Sequence, residues 1–291
     1  MPLKNHLKVL PLLITMGSLF LGTKTLGQIT KSLEGDARPL WEGGAGVLSA
    51  LVPAYPGSED SNVFNIPFPT FFYRGDFIRA DEEGGMRGRF FKEKNYEINL
   101  SIGGSLPANS EDVSARENMP DLKTMTEFGP GLLSTLWRKK GDANFKLGLN
   151  VPLRTAFSID FWEIKERGLI FNPILYLVTE NFVGDGYFTF TGLSSVFASQ
   201  RFHKVFYEVE NQYATAERPA YRARSGYLST TLSQGLSKQI FNQVNMFLFF
   251  TYTNLKGNSN ATSPLFRKEN NFSGAIGFVW WFFESDSLEK S

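Results

Sequence analysis

The chain has 291 residues and a formal net charge of +1. That is long enough for one large core or barrel, and too evenly charged for nucleic acid to be the main partner. It contains no cysteine, which excludes disulfides and thiolate metal sites. Aromatic residues make up 15% of the chain, 28 of them Phe, yet the mean hydropathy is only −0.19. A helical membrane protein would be far more apolar, whereas a barrel with one lipid-facing and one wet face averages near neutral.

The N-terminus reads as a targeting segment. Lys4, His6 and Lys8 precede an apolar run from Val9 to Gly22, and Thr25-Leu26-Gly27 offers a signal-peptidase site. Residues 1–27 are therefore expected to be a cleaved signal peptide, followed by a flexible lead-in over 28–40. The run is shorter than the roughly 20 residues a spanning helix needs, and no later segment is long and apolar enough to supply one.

Strand-like alternation begins at Trp41 to Val52 and continues through Asn62 to Tyr73. Pro67 and Pro69 in the second stretch cannot donate to a ladder. That strand is either bulged or placed where those amides face no partner. Short segments Phe77 to Ala80 and Met86 to Phe91 follow, with Arg87 and Arg89 on one face. Tyr96 to Gly103 alternates cleanly, putting Ile98, Leu100 and Ile102 opposite Glu97, Asn99 and Ser101. A polar loop from Leu106 to Leu122 leads to Thr124 to Trp137, then to a charged turn, Arg138-Lys139-Lys140-Gly141-Asp142.

Phe145 to Leu153 alternates again, against Lys146, Asn150 and Arg154. Leu169 to Thr179, a Gly184-Asp185-Gly186 turn signal, Tyr187 to Ser199, Lys204 to Gln212, Tyr227 to Leu236 and Gln243 to Thr253 continue the series. In the last strand, Asn271 to Phe283, the residues Phe272, Ile276, Phe278, Trp280 and Phe282 share a face opposite Ser273, Ala275, Gly277 and Val279. The aromatics gather toward its end, as at a membrane interface.

These are thirteen candidate strands. Bacterial single-chain barrels have even strand numbers, so one candidate is wrong, merged or non-spanning, and Phe77 to Ala80 is the shortest. The expectation is an all-β, antiparallel transmembrane barrel of about 12 strands over 41–283, with ten the alternative, and a polar tail over 284–291. A periplasmic sandwich would also alternate, but would not need so many segments or so much exposed aromatic surface.

Chemistry is sparse. Gly44-Ala45-Gly46 lacks the third glycine of a dinucleotide loop. The acidic clusters at Asp81-Glu82-Glu83 and Glu111-Asp112 lack calcium-loop spacing. No cofactor or metal site is expected. After signal removal the lone histidine is His203; read as part of a strand with Val205 and Tyr207, it faces lipid or the interface and is no partner for a serine nucleophile. Glu97, Glu127, Glu208 and Glu210, with Arg87, Arg89, Lys146 and Arg154, are the candidate lumen charges. They form either a salt-bridge network or a solute-filtering constriction.

Several segments, taken together in order, carry a family resemblance. They are Tyr55-Pro56-Gly57-Ser58 with Ile66-Pro67-Phe68-Pro69, Arg116-Glu117-Asn118-Met119-Pro120-Asp121-Leu122 with Glu127-Phe128-Gly129-Pro130, Arg218-Pro219-Ala220-Tyr221 with Gly226-Tyr227, and Ser263-Pro264. From about Trp41 to Phe283 the chain resembles the MipA/OmpV family of outer-membrane proteins. The resemblance implies an outer-membrane barrel in contact with lipid, without enzymatic activity, that scaffolds a murein hydrolase and a murein synthase. A porin-like channel is the alternative, and a lipid- or peptide-acting enzyme a third reading. The family has glycine where Asn118 stands; asparagine is the next best residue for a left-handed backbone. Motif-like sequence in loops points to function, so Arg116, Met119, Pro120, Asp121, Arg218, Pro219 and Tyr221 are the candidate partner contacts.

Overall fold

A computed structural model describes residues 39–81, 85–160 and 163–288; the side chains of 81 and 85–87 are not described. The expected signal peptide, most of the lead-in, and the side chain of Arg87 lie outside the described residues. The strands are β1 (Trp41–Pro53), β2 (Ser61–Arg74), β3 (Ile78–Asp81), β4 (Gly85–Lys92), β5 (Tyr96–Ser105), β6 (Met125–Lys139), β7 (Asn144–Asp160), β8 (Glu163–Phe171), β9 (Ile174–Glu180), β10 (Tyr187–Ala198), β11 (Gly226–Phe241), β12 (Val244–Asn254) and β13 (Asn270–Glu284). Among the described residues the one α-helix, α1 (Gln200–Tyr207), sits between β10 and β11. No described helix is long and apolar enough to cross a membrane.

Every pairing is antiparallel, and β13 pairs with β1 to close the ring. β8 and β9 both pair with β7, β8 against Leu153–Asp160 and β9 against Asn144–Asn150. They are halves of one strand interrupted at Asn172-Pro173, where proline withdraws a ladder donor. Thirteen segments therefore make a barrel of twelve strands.

The expected twelve strands are observed, but the candidate that drops out of the ring is not the short Phe77 to Ala80. Phe77 to Ala80 does contribute a strand, β3, although its four residues are too short to span. The segment that is not a strand is Lys204 to Gln212. Phe202 and Phe206, and His203 and Tyr207, are each four residues apart and buried, which is the helical rather than the strand period. Glu208 and Glu210 follow this helix and so do not line the barrel as expected. Nor does His203 face lipid; it is 0% exposed.

The outward face has the layering of a membrane barrel. Phe128, Phe171, Phe197, Phe250 and Phe272 form one aromatic belt, and Trp137, Phe182, Phe241, Trp280 and Phe283 another. Val47, Leu132, Leu153, Leu193, Leu232 and Ile276 stand between them, all exposed. Two such girdles bracketing an aliphatic band match a hydrocarbon layer. Turns at 75–77, 93–95, 140–143, 181–186 and 242–243 lie at one end. Both described chain ends are there too, tied by a Pro39–Leu288 bridge and by the Leu40 amide donating to the Ser287 carbonyl at 2.7 Å. The connections at 54–60, 106–124, 199–225 and 255–269 lie at the other end.

Candidate functional site

Four of the family-like segments, Tyr55–Ser58, Arg116–Leu122, Arg218–Tyr221 and Ser263-Pro264, fall in those long connections, and the structure folds them onto one another; Ile66–Pro69, Glu127–Pro130 and Gly226-Tyr227 lie in β2, β6 and β11. Tyr55 is 3% exposed and its hydroxyl donates to the Leu265 carbonyl at 2.6 Å. Tyr207, at 0% exposure, donates its hydroxyl to the Pro56 carbonyl at 2.9 Å and accepts from Asn258 Nδ2 at 3.1 Å. Asn271 accepts from the Gly57 amide at 2.7 Å and donates to the Ser58 carbonyl at 2.9 Å. Ser263 Oγ donates to the Tyr207 carbonyl at 2.7 Å. Under this network lies an apolar cluster that includes Val113, Leu122, Met125, Phe202, Phe206 and Leu228. The loops thus form a cap with its own core.

Arg116 and Arg218 are building parts of that cap. Arg116 is 4% exposed, donates to the Pro120 carbonyl at 3.0 Å and lies over the Tyr55 ring at 5.9 Å. Arg218 Nη1 donates to the carbonyls of Ala115 at 3.2 Å and Glu117 at 2.9 Å, while its Nε and Nη2 hold the Tyr213 carbonyl. One arginine so ties the 106–124 loop to the 199–225 loop. Asn118, at φ 62°, takes the left-handed backbone expected of it. Asp121 Oδ1 accepts from the Ser110 amide at 2.9 Å. Tyr221 pairs its backbone with Val209, and Pro120 and Pro219 are exposed. Arg116, Met119, Asp121, Lys123, Lys204 and Glu208 line a cleft of about 190 Å³ between the two loops.

Burial sets the protonation of the cap. It pushes the Tyr55 hydroxyl up to about 12, against the opposing Arg116 and Arg267 charges. It lowers Arg116 to about 10 and His203 to about 4, and it raises Tyr207. Lys204 is raised chiefly by its hydrogen bond to Glu208; that ion pair measures 2.9 Å, and Glu210 is 3.5 Å from the same ammonium. Tyr207→Phe would leave the Pro56 carbonyl and Asn258 amide without their shared partner. It is expected to destabilise the cap by about 1–3 kcal/mol, read as faster hydrogen exchange in 54–60 and 255–269 while the strands keep their protection.

Of the remaining candidate charges, Arg154, Glu127, Arg89, Glu97 and Lys146 lie on the interior face. Arg154 Nε donates to Glu127 Oε2 at 3.0 Å and its Nη1 to Ser101 Oγ at 3.2 Å. Arg89 Nη1 is 3.9 Å from Glu97 Oε2, and Asn99 Nδ2 donates to Glu97 Oε1 at 3.2 Å. Lys146 is buried on the same face of β7. Of Arg87 only the backbone is described, paired with Arg79. The sequence reading missed the interior pair Arg74–Glu42, both buried, although the inward parity of Glu42 on β1 was available as a signal.

A closed ring of twelve antiparallel strands, with an apolar band between two aromatic belts, is an integral outer-membrane β-barrel. Its solved neighbours include the NanC porin, with a TM-score of 0.35 and 10% identity over 83% of this chain and 98% of that one. They also include an outer-membrane phospholipase A from Escherichia coli, with a TM-score of 0.32 and 10% identity over 89% and 98%. The chain belongs to the family described as MltA-interacting protein MipA, whose model matches residues 44–282. No curated protein matches it in sequence.

Proposed function

We propose that this barrel is a non-enzymatic anchor that holds a murein hydrolase at the inner surface of the outer membrane through its short-turn end. The observation that carries this reading is the division of labour between the two ends. The long loops satisfy their polar groups among themselves, and in outer-membrane barrels such loops face outward while short turns face the periplasm. Murein lies on the periplasmic side, so a murein-directed partner meets the turns. There, Lys92 and Lys94 are exposed, as are Arg138, Lys139 and Lys140 one strand pair away. The Thr135 amide on β6, donating to the Asn95 carbonyl at 2.7 Å, ties the first turn to the strand that leads into the second. This basic rim suits an acidic face on the partner. The family's description as interacting with MltA supports the same reading. His203, the one histidine among the described residues, is 0% exposed, which fits a structural role in the cap better than contact with a substrate.

The test is binding of a purified lytic transglycosylase to the refolded barrel in nanodiscs. Lys139→Glu with Lys140→Glu is expected to weaken binding about tenfold or more, in the range typical of lost interfacial charge pairs. Arg218→Ala, which loosens the cap, is expected to leave affinity unchanged. Binding lost on loosening the cap and indifferent to the rim would return the partner site to Met119, Pro120, Asp121, Pro219 and Tyr221. The interior charges Arg154, Glu127, Arg89 and Glu97 support a second reading, a charged solute path. Stable conductance steps from the refolded barrel, altered by Arg154→Ala, would favour it.

A further inference from the structure

Among the described residues, the wall between β2 and β5 is paired only at the level of the β3–β4 hairpin. β2 pairs with β1 along its whole length, Ser61 to Tyr73. On its other side it meets β3 only at Tyr73 and Arg74. Among the described residues no strand pairs with the rest of that edge, and β5 pairs with β4 only from Glu97 to Leu100. Above, the gap ends where the Ser114 amide donates to Asp60 Oδ2 at 2.8 Å. Among the described residues the wall therefore has a window between β2 and β5, below the cap.

The direction of the β2 amides follows from the ladder. The Ala54 amide donates to the Asp60 carbonyl at 3.0 Å, and the Arg74 amide to the Leu40 carbonyl at 2.8 Å. The hydrogen-bonded pairs with β1 are thus the even-numbered ones, and Val63, Asn65, Pro67, Pro69 and Phe71 turn their backbone toward the window. Two of those five positions lack an N–H. The second of the two sequence expectations for these prolines is the one observed, since the β1–β2 register runs through them without a bulge. Unpaired donors are costly in hydrocarbon, and proline on an edge also prevents another strand from adding to it.

We infer that this window admits the acyl chain of a membrane lipid to the barrel interior. The bilayer is what adjoins it, because Val63 and Phe71 on the same strand are exposed on the lipid-facing side, 63% and 50%. A peptide strand is disfavoured by the two prolines. The interior surface beside the window is apolar on the β2 side. Ile66 is opposite Leu48 and Phe64 opposite Ala50, and the Phe68 ring lies over Gly46, where an added Cβ would come within 2.6 Å of it. On the β5 side the interior is polar, with Ser101 and the Arg154–Glu127 pair. A lipid tail fits the first surface.

The chain has no cysteine, so single-cysteine spin labels report one site each. In dioleoylphosphatidylcholine bilayers, oxygen concentrates in hydrocarbon and a nickel chelate stays in water. A label sealed inside protein meets neither. Labels at Phe68→Cys and Phe64→Cys, facing inward at the window, are expected to collide with oxygen and escape nickel, as a label at the outward Val63→Cys does. A label at Ser233→Cys, inward on the far wall, is expected to lack that contrast. If either inward window label folds into the barrel and meets nickel, or meets neither probe, the window does not admit lipid. Using two inward positions keeps the test decisive if one variant fails to fold.

Discussion

Gly129→Ala is expected to cost the barrel about 3 kcal/mol or more, enough to abolish the heat-resistant folded band on a denaturing gel at moderate urea. Gly129 lies on β6 where the β6–β7 ladder is interrupted, between the pairs Phe128–Thr155 and Gly131–Pro152. Pro130 removes a donor there, and the two backbones close up without changing register. A Cβ at 129 would fall on the Leu153 carbonyl oxygen and lie 2.9 Å from the Arg154 Cα. Both obstacles are backbone, so no rotamer change relieves them. Overpacking a fitted site costs 1–3 kcal/mol, and more when the main chain must move. The displaced segment also carries Arg154, whose pairing with Glu127 would be disturbed. Gly274→Ala on β13 is the control, since its Cβ would meet the Phe249 carbonyl oxygen of the neighbouring strand at an ordinary 4.0 Å. Equal urea midpoints for the two variants would show that β6 and β7 can separate at no cost.

The barrel was legible because alternation is a local property. On β7, Lys146 and Arg154 are buried and inward while Leu153 is 45% exposed, as period two requires. β13 keeps its aromatic face outward for the same reason. Alternation failed where it is ambiguous. Val205, Tyr207 and Val209 mimic a strand, yet the contacts that decide the fold join residues four apart, Phe202 with Phe206 and His203 with Tyr207. The single strand read over Leu169 to Thr179 holds along β7, with a break at Asn172-Pro173. The motifs of the cap were legible as a set, though not as a single object. Tyr55 meets Leu265 across 210 positions and Tyr207 meets Pro56 across 151. No local pattern encodes such partners. The same contacts explain why motif arginines that read as partner contacts serve the cap instead.

Lowering the pH from 7 toward 4 is expected to loosen the cap by on the order of 3 kcal/mol, through one residue. His203 has an ordinary value of 6.5 and is lowered to about 4 in the fold, chiefly by burial, with the Gly226 backbone opposing the shift. Between those values the unfolded segment binds a proton that the folded one refuses. The stabilising contribution is therefore complete above about pH 6.5, declines as the pH falls, and is exhausted near 4. The surroundings give the imidazole no way to accept the proton gracefully. Asn260 Nδ2 donates to His203 Nδ1, so that ring nitrogen must stay unprotonated. The amide cannot turn over to offer its oxygen, because Oδ1 accepts from the Arg224 amide at 2.7 Å and Nδ2 donates to the Arg224 carbonyl at 2.9 Å. A protonated ring would face a fixed donor in a fully buried site. Hydrogen exchange of the amides in 199–225, corrected for the intrinsic effect of pH, measures the loss directly. His203→Gln keeps an acceptor for Asn260 and cannot titrate, so its cap should hold nearly constant stability from pH 7 to 4.5. The nearby carboxylates Glu208 and Glu210 remain in that variant. An undiminished pH dependence in it would therefore assign the effect to their ion pairs with Lys204 rather than to the buried ring.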